Sequence, residues 1–197
     1  MNHREPAIRR LRSTALAAVV IVSAASVGVL VYQSLPTMST VARSIDTLVG
    51  GHRGPPGATL FDDGNPSVGN LDSDLLAALR AAAADAADDG VELVVNSGWR
   101  SPEYQEQLLR EAVSKYGSET EAARWVATPS TSAHVAGEAV DIGPTDGAAW
   151  LSAHGAAYGL CQIYANEPWH YELRSDAGEL GCPPLYADPT HDPRMQQ

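Results

Sequence analysis

The sequence predicts an α+β fold in which helices flank a small antiparallel sheet. Helical patterns come first, and short β-branched segments separated by tight corners then alternate with further helices, an order typical of this fold class. The strand candidates are residues 91–96, 139–142, 160–164 and 169–173. With 197 residues, the chain has room for one domain and some additional segments.

Capping residues and apolar spacing predict two long helices. Asp72 or Ser73 can cap the first helix, which ends before Gly90. Pro102 suits the first turn of the second helix, which ends at Gly117. We expect the second helix to bury a stripe of Leu108, Leu109, Ala112, Val113 and Tyr116.

Shorter elements follow in the second half of the chain. Ser118 and Glu121 have the spacing of a capping box, which predicts a short helix that holds Trp125. The segment around His134 contains glycine and is predicted to be a loop that leads into a short strand. A further short helix is expected at residues 148–153.

The N-terminal segment has the pattern of a membrane anchor. Residues 1–14 form a basic tail with four arginines, and residues 15–32 are almost wholly apolar. A helix of that length spans roughly 27 Å, close to the hydrocarbon thickness of a bilayer. The arginines place the N-terminus in the cytoplasm, so residues 33–57 would be a linker and residues 58–197 an extracytoplasmic domain. A cleaved signal peptide, which would release a secreted domain, is the alternative.

The net charge indicates which binding partners to exclude, and the two cysteines indicate a disulfide. The formal net charge is −11, and the arginine-rich tail leaves the remainder of the chain more acidic still. Nucleic acid binding rewards clustered Lys and Arg, so no nucleic acid partner is expected. Cys161 and Cys182 both lie in the exported part, where a disulfide is favoured. Two buried free thiols would leave the same pattern in the sequence.

Two motifs carry the candidate chemistry. Residues 132–141 supply His134 and Asp141, and the Glu-Pro-Trp-His segment at residues 167–170 supplies His170. Two imidazoles and one carboxylate are a usual protein ligand set of a catalytic zinc, which keeps a fourth position for water. The first two ligands are seven residues apart, so loop and strand rather than one helix must present them.

Glu167 and Arg100 are the candidate catalytic groups. If Pro168 bends the chain, Glu167 could take a proton from water and pass it to a leaving amine. Arg100 follows a predicted strand and could stabilise an oxyanion or hold a substrate carboxylate. Each feature alone has a commoner structural explanation, such as a salt bridge for the arginine or core packing for Trp169. Their occurrence together in one exported domain favours a metallohydrolase.

The motifs also resemble those of a known family. Ser-x-His-x-x-Gly-x-Ala-x-Asp followed by Glu-Pro-Trp-His resembles the zinc D-alanyl-D-alanine carboxypeptidases of the VanY-like type, relatives of the hedgehog signalling domain. Residues 97–105 resemble the upstream motif of that family, with Trp99 in place of the usual Tyr. The resemblance covers about residues 60–175 and implies a hedgehog/DD-peptidase-like α+β fold.

The resemblance implies a role for each matching residue. The implied zinc ligands are His134, Asp141 and His170. Glu167 would be the catalytic base, and Arg100 would steady the charge that develops on the scissile carbonyl. Ser132 and Gln105 would contact the substrate. The implied reaction removes the terminal D-alanine from peptidoglycan stem peptides outside the membrane, and we expect a monomer.

Two other functions remain open at this point. An endopeptidase of the same fold would cut within the stem peptide or a crosslink, but such relatives often carry Asp where this chain has Glu167. A non-catalytic, membrane-tethered module that binds the cell wall would have no need of a base beside an open metal position. Both considerations favour the carboxypeptidase.

Overall fold

The computed structural model describes residues 57–196, which all belong to the second of two compact units, Asp46–Gln197. The predicted basic tail, the membrane anchor and all of the linker up to residue 56 lie outside the described residues. Within residues 57–196, none of the helices has both the length and the apolar character needed to cross a bilayer.

The described residues form the predicted α+β fold, with five short antiparallel strands and flanking helices. The strands are β1 (Ala58–Thr59), β2 (Val94–Ser97), β3 (Ala139–Gly143), β4 (Leu160–Gln162) and β5 (His170–Leu173). The helices are α1 (Pro66–Gly69), α2 (Ser73–Asp88), α3 (Pro102–Tyr116), α4 (Glu119–Ala122), α5 (Ala133–Ala136), α6 (Thr145–His154) and α7 (Ala177–Leu180). Short 3₁₀ turns span Gly155–Tyr158, Pro189–His191 and Pro193–Gln196.

The two long helices begin and end where capping signals predict. The Asp72 carboxylate accepts hydrogen bonds from two backbone N–H groups in the first turn of α2. Ser101 caps α3 in the same way, and Pro102 occupies the first turn, where its missing N–H costs nothing. Gly117, in the left-handed conformation, ends α3.

The sheet has the strand order β1-β2-β3-β5-β4, and every neighbouring pair is antiparallel. The register pairs Asp141 of β3 with His170 of β5 on one side and with Ser97 of β2 on the other. A register shift between Val95 and Ser97 marks a bulge in β2. The centre of the sheet therefore brings together residues that are far apart in sequence.

The two faces of the sheet have different roles because side chains alternate along a strand. Val140, Ile142 and Tyr171 are buried in the main hydrophobic core, which α2 and α6 complete. Asp141 and His170 alternate with these residues and so lie on the opposite face. One face of the sheet thus packs against the hydrophobic core, and the other face carries the polar site.

In the α3–α4 region one sequence prediction is only partly confirmed and another is wrong. Of the stripe predicted on α3, Ala112 is buried, whereas the other four residues are only partly buried. Leu108 and Leu109 line surface cavities rather than the core. The helix α4 ends at Ala122 and does not include Trp125. Trp125 instead stacks on Tyr116 of α3, with ring centroids 5.8 Å apart, and this contact ties the two segments together.

Cys161 and Cys182 form a disulfide, so the disulfide alternative of the sequence analysis is correct. Cys161 lies on β4, in a small apolar cluster with Ile163, Tyr164 and Ala177. The bond attaches the C-terminal residues to this edge of the sheet.

Candidate metal centre

His134 is presented by a single helical turn rather than by the predicted loop. Ser132 caps α5 by accepting a hydrogen bond from the Val135 N–H at 3.4 Å, and Gly137 ends it in the left-handed conformation with φ +79°. A Cβ at Gly137 would lie 2.6 Å from the Asn70 carbonyl oxygen, so only glycine fits there. Ser132 and Gly137 can be recognised in the sequence as helix-capping residues. The helix between them has only four residues, so the segment is easily mistaken for a loop.

Asp141 and His170 reach the same place through the strand register. They are direct cross-strand partners of β3 and β5, so their side chains project side by side from one face. Glu167 lies in the corner just before β5, where the His170 N–H donates to the Glu167 carbonyl at 3.1 Å. This turn supplies the bend that the sequence analysis requires at Pro168.

The three candidate ligands converge on one point. His134 Nε2 lies 3.2 Å from His170 Nδ1, and each nitrogen lies 3.3 Å from Asp141 Oδ1. Ligand atoms held about 2.0–2.1 Å from a tetrahedral centre are about 3.3 Å apart, so these atoms have the spacing of one face of a tetrahedral site.

Hydrogen bonds on the far side of each imidazole fix its orientation. His134 Nδ1–H donates to the Gly98 carbonyl at 2.8 Å, and His170 Nε2–H donates to the Glu172 carboxylate at 3.2 Å. Each ring therefore turns its other nitrogen toward Asp141 Oδ1, and three acceptors face one another. Such a group needs a cation at its centre, either a proton or a metal ion. The residues fit a divalent metal.

The pKa values of the triad agree with this description. Burial lowers the pKa of His134, and the neighbouring Arg100 lowers it further, although Asp141 acts in the opposite direction. Burial also opposes ionisation of Asp141, but His134, His170 and Arg100 hold its pKa well below the ordinary value. For His170, burial is outweighed by hydrogen bonds to Asp141 and Glu172, which raise the pKa to about 9. The raised pKa of His170 and the lowered pKa of Asp141 both reflect a position that favours positive charge.

Glu167 stands beside the triad as a buried carboxylate. Its Oε2 lies 3.8 Å from His170 Nδ1, beyond hydrogen-bond distance. Burial, assisted by the charge of Asp141, raises the pKa of Glu167 to about 7, although His170 and Arg100 act in the opposite direction. A carboxyl group with that pKa can accept or release a proton near neutral pH.

Arg100 is held rigidly against the metal ligand Asp141. Its Nη2 donates to Asp141 Oδ2 at 2.8 Å, and the pair is largely buried. Its Nε donates to Ser97 Oγ at 2.8 Å, and its Nη1 donates to Gln105 Oε1 at 3.2 Å. These bonds use three of the five N–H groups of a guanidinium and leave two for a ligand.

The two residues expected to contact substrate, Ser132 and Gln105, are both buried and both bind protein atoms. The hydroxyl of Ser132 caps α5. Gln105 accepts from Arg100 and donates to the Ala127 carbonyl at 2.8 Å, so it orients the guanidinium. Both still line the cavity that contains the triad, so the structure gives each a supporting bond without excluding substrate contact.

The triad opens into a cavity of about 500 Å³. Glu167 and Arg100 share its wall with the metal ligands, and Trp125 and Trp169 also line it. Trp169 is 40% exposed, so the core-packing explanation for this residue is wrong. Its indole is accessible to whatever enters the cavity.

Sequence reasoning missed the groups that hold the ligands in place. Glu172 shares a face with His170 because strand residues two apart point the same way, and this alternation could have identified it. Gly98 supplies only a backbone carbonyl, and it must be glycine because a Cβ would collide with the Ser67 carbonyl. Arg194, which binds Glu172, has no local signal, since the contact depends on the fold of the C-terminus.

Taken together, an α+β sheet with a three-ligand metal site, a buried carboxylate and a rigid arginine defines a candidate metal-dependent hydrolase. The family model described as VanY, D-alanyl-D-alanine carboxypeptidase, matches residues 69–176, more than half of the chain. This protein therefore belongs to the VanY D-alanyl-D-alanine carboxypeptidase family.

Individual relatives agree with the family assignment. A D-alanyl-D-alanine carboxypeptidase of Enterococcus faecalis (strain ATCC 700802 / V583) is 35% identical over 109 residues, a match that covers 42% of this chain and 40% of the relative. The chain thus matches less than half the length of this curated relative.

Solved structures are also similar. The LD-carboxypeptidase LdcB is 26% identical with a TM-score of 0.50, over 56% of this chain and 63% of that one. A mutant of the D,D-pentapeptidase VanY from the VanB-type resistance cassette, in complex with Zn(II), is 30% identical with a TM-score of 0.49, over 52% of this chain and 72% of that one.

Proposed function

We propose that this protein is a zinc-dependent D,D-carboxypeptidase that removes the C-terminal D-alanine from peptidoglycan stem peptides. The observation that carries the proposal is the convergence of His134, Asp141 and His170 beside the buried carboxylate of Glu167 in one cavity. Membership of the VanY family supports the substrate class.

His134 Nε2, His170 Nδ1 and Asp141 Oδ1 would hold the metal ion. Two nitrogen donors and one oxygen donor at tetrahedral spacing favour zinc over the harder cations magnesium and calcium, which take mainly oxygen ligands. A bound zinc in such a site supplies Lewis acidity, which polarises a carbonyl and lowers the pKa of water.

Glu167 moves the proton in the proposed mechanism. As a carboxylate, its Oε2 accepts a proton from the attacking water on the cavity side of the triad. The resulting carboxylic acid then donates that proton to the amine of the departing D-alanine. Burial favours the first step because it raises the pKa of Glu167 and so makes the carboxylate a stronger base.

Arg100 provides the positive charge beside the reacting carbonyl. Its bonds to Ser97, Gln105 and Asp141 fix the guanidinium before substrate arrives, so little reorganisation is needed during the reaction. The two remaining N–H groups would donate to the carbonyl oxygen as negative charge develops on it. Ser132 and Gln105 would contact the substrate backbone from the same wall.

We further propose that the catalytic domain lies outside the cell, attached by residues 15–32 and separated from the membrane by a linker up to residue 57. The apolar N-terminal segment with its arginines supports the anchor, and the Cys161–Cys182 disulfide supports an oxidising location. Cleavage of that segment would give a secreted form instead. The proposed catalytic unit is a monomer.

Product analysis with defined muropeptides tests the activity. The zinc-loaded protein is incubated with a stem pentapeptide that ends in D-alanyl-D-alanine, with a tetrapeptide and with a crosslinked dimer, and the products are weighed by mass spectrometry. Loss of one alanine from the pentapeptide is expected. Loss of the terminal residue from the tetrapeptide alone would support a second candidate, an L,D-carboxypeptidase, which the likeness to LdcB favours. Cleavage of the dimer alone would identify an endopeptidase.

Two variants separate catalysis from metal binding. Glu167→Ala should retain zinc through dialysis but lose at least about 100-fold in rate, the usual contribution of a general base. Asp141→Ala should lose zinc under the same conditions, because one of three protein ligands is gone. Unchanged D-alanine release by the Glu167 variant, or unchanged zinc content in the Asp141 variant, would contradict the assigned roles.

A further inference from the structure

The C-terminal segment, residues 181–196, lies beyond the residues that match the family model and folds back onto the sheet. The disulfide fixes its start at Cys182. Backbone hydrogen bonds then pair Tyr186 with the chain next to β4, from its N–H to the Ile163 carbonyl at 3.0 Å and from the Ala165 N–H to its carbonyl at 2.8 Å. These bonds run alongside the corner that carries Glu167.

Side-chain contacts continue this attachment toward the end of the chain. The Asp188 carboxylate accepts from Arg124 Nε at 3.0 Å, and the Asp192 carboxylate accepts from the Tyr164 hydroxyl at 3.0 Å. Both aspartates are buried, so the segment is held by satisfied polar bonds rather than lying loosely on the surface. The result is a fixed position for Arg194.

Arg194 binds both oxygens of Glu172. Its Nη1 donates to Oε2 at 2.7 Å, and its Nη2 donates to Oε1 at 3.2 Å. The same Oε1 accepts the Nε2–H of His170. Arg174 also binds Glu172, but only at Oε2, at 2.8 Å. Among residues 57–196, Arg194 is thus the arginine that holds the oxygen on which the orientation of His170 depends.

Glu172 is 1% exposed, so its charge has little help from water. Without Arg194, Oε1 of this carboxylate would lose its guanidinium partner while Oε2 keeps Arg174, so the carboxylate would be free to rotate. That rotation would move the acceptor that keeps Nδ1 of His170 turned toward the metal position. Such supporting groups are typically worth about 10–100-fold in metal affinity.

We propose that Arg194 is a positioning residue of the metal centre, which acts on His170 through Glu172, and that the C-terminal segment is therefore part of the metal site. The proposal rests on the zinc site of the proposed function. It does not depend on which peptide is cleaved.

Zinc affinity tests this inference directly. The dissociation constant is measured on the full-length protein by competition with a chromogenic chelator, without any peptide substrate. Arg194→Ala should raise the constant about 10–100-fold, and Arg194→Lys should recover part of the loss, because a lysine keeps the charge but not the two-point contact. Arg174→Ala should have a smaller effect, since it leaves Oε1 bound. A constant within about twofold of the parent in both Arg194 variants would overturn the proposal.

A matched control separates positioning from general stabilisation. Arg80 binds the Asp63 carboxylate and the Leu60 carbonyl, and it lies away from the cavity. Arg80→Ala should lower the thermal midpoint of the metal-free protein without changing zinc affinity. An equal loss of affinity in this variant would show that Arg194 acts only through overall stability.

A double substitution tests the route through Glu172. In a Glu172→Gln background, Arg194→Ala should change zinc affinity by less than about threefold, because the carboxylate on which the arginine acts is absent. If Arg194→Ala weakens zinc binding as much in the Glu172→Gln protein as in the parent, Arg194 does not act through Glu172. Should Arg194→Ala fail to fold, Arg194→Lys in both backgrounds gives the same comparison. Because no peptide is used, failure of this test and failure of the proposed D-alanine release are distinguishable.

Discussion

Replacing Arg100 with alanine should destabilise the metal-free protein far more than the same replacement at a surface arginine. Arg100 donates three side-chain hydrogen bonds, and its removal leaves the Asp141 carboxylate without a guanidinium partner. The side chains of the pair are only 15% and 13% exposed, so water cannot fully replace the lost contact.

The size of the effect follows from this burial. Removing one partner of a buried ion pair costs about 3–5 kcal/mol, and partial access to water places Arg100→Ala near the lower end, at about 3 kcal/mol. Arg110 is the matched control, since it pairs with Glu106 one helical turn away while both side chains are about half exposed or more. Such a helix-surface pair contributes at most about 0.5 kcal/mol.

Urea denaturation of chelator-treated protein measures both values. With a slope of about 2 kcal/mol per molar urea, Arg100→Ala should shift the midpoint by about 1.5 M, and Arg110→Ala by less than about 0.3 M. Arg100→Lys should fall between them because it retains the charge but cannot reach three acceptors at once. Midpoints of the two alanine variants within about 0.3 M of each other would refute the reasoning.

Three further measurements test other parts of the structure. Gly137→Ala should cost at least about 1 kcal/mol more than Gly90→Ala, because both have positive φ but only Gly137 faces a backbone carbonyl; equal losses would contradict this. Reducing the Cys161–Cys182 bond, which spans 21 residues, should lower the unfolding free energy by about 3 kcal/mol, and an unchanged urea midpoint would oppose the chain-entropy argument. Although burial raises the pKa of Asp188, hydrogen bonds from neighbouring hydroxyl, imidazole and guanidinium groups lower it to about 2. A lowered folded-state pKa stabilises above the unfolded value, so stability should fall as the pH drops from about 4 toward 2. Asp188→Asn should flatten that slope, and an identical acid profile would exclude the contribution.

The fold and the metal ligands could be predicted from the sequence because their signals are local. Capping residues such as Asp72 and Ser101 set the starts of the long helices, and β-branched segments marked the strands. His134, Asp141 and His170 stood out because their types and order suit one kind of site, and the structure places their donor atoms together.

Other features of the fold and the site could not be predicted, because they depend on tertiary contacts that leave no local signal in the sequence. Apolar spacing identified the stripe of α3 that contains Leu108 but could not show that it faces a cavity rather than the core. The sequence could not show that Trp169 is exposed either, because its exposure also depends on tertiary packing. The link from Arg194 to Glu172 joins residues 22 positions apart and requires the C-terminus to fold back, which periodicity cannot reveal.

The alternation of β3 and β5 has a consequence for how this protein can change. Val140 and Tyr171 point into the apolar interior, whereas Asp141 and His170, their immediate neighbours in sequence, point into the cavity. The two sets of positions are therefore under different constraints, because replacing Val140 or Tyr171 would open a void in the interior, whereas replacing Asp141 or His170 would remove a donor atom from the metal site. One short stretch of sheet thus carries both the packing of the fold and the donor atoms of the centre.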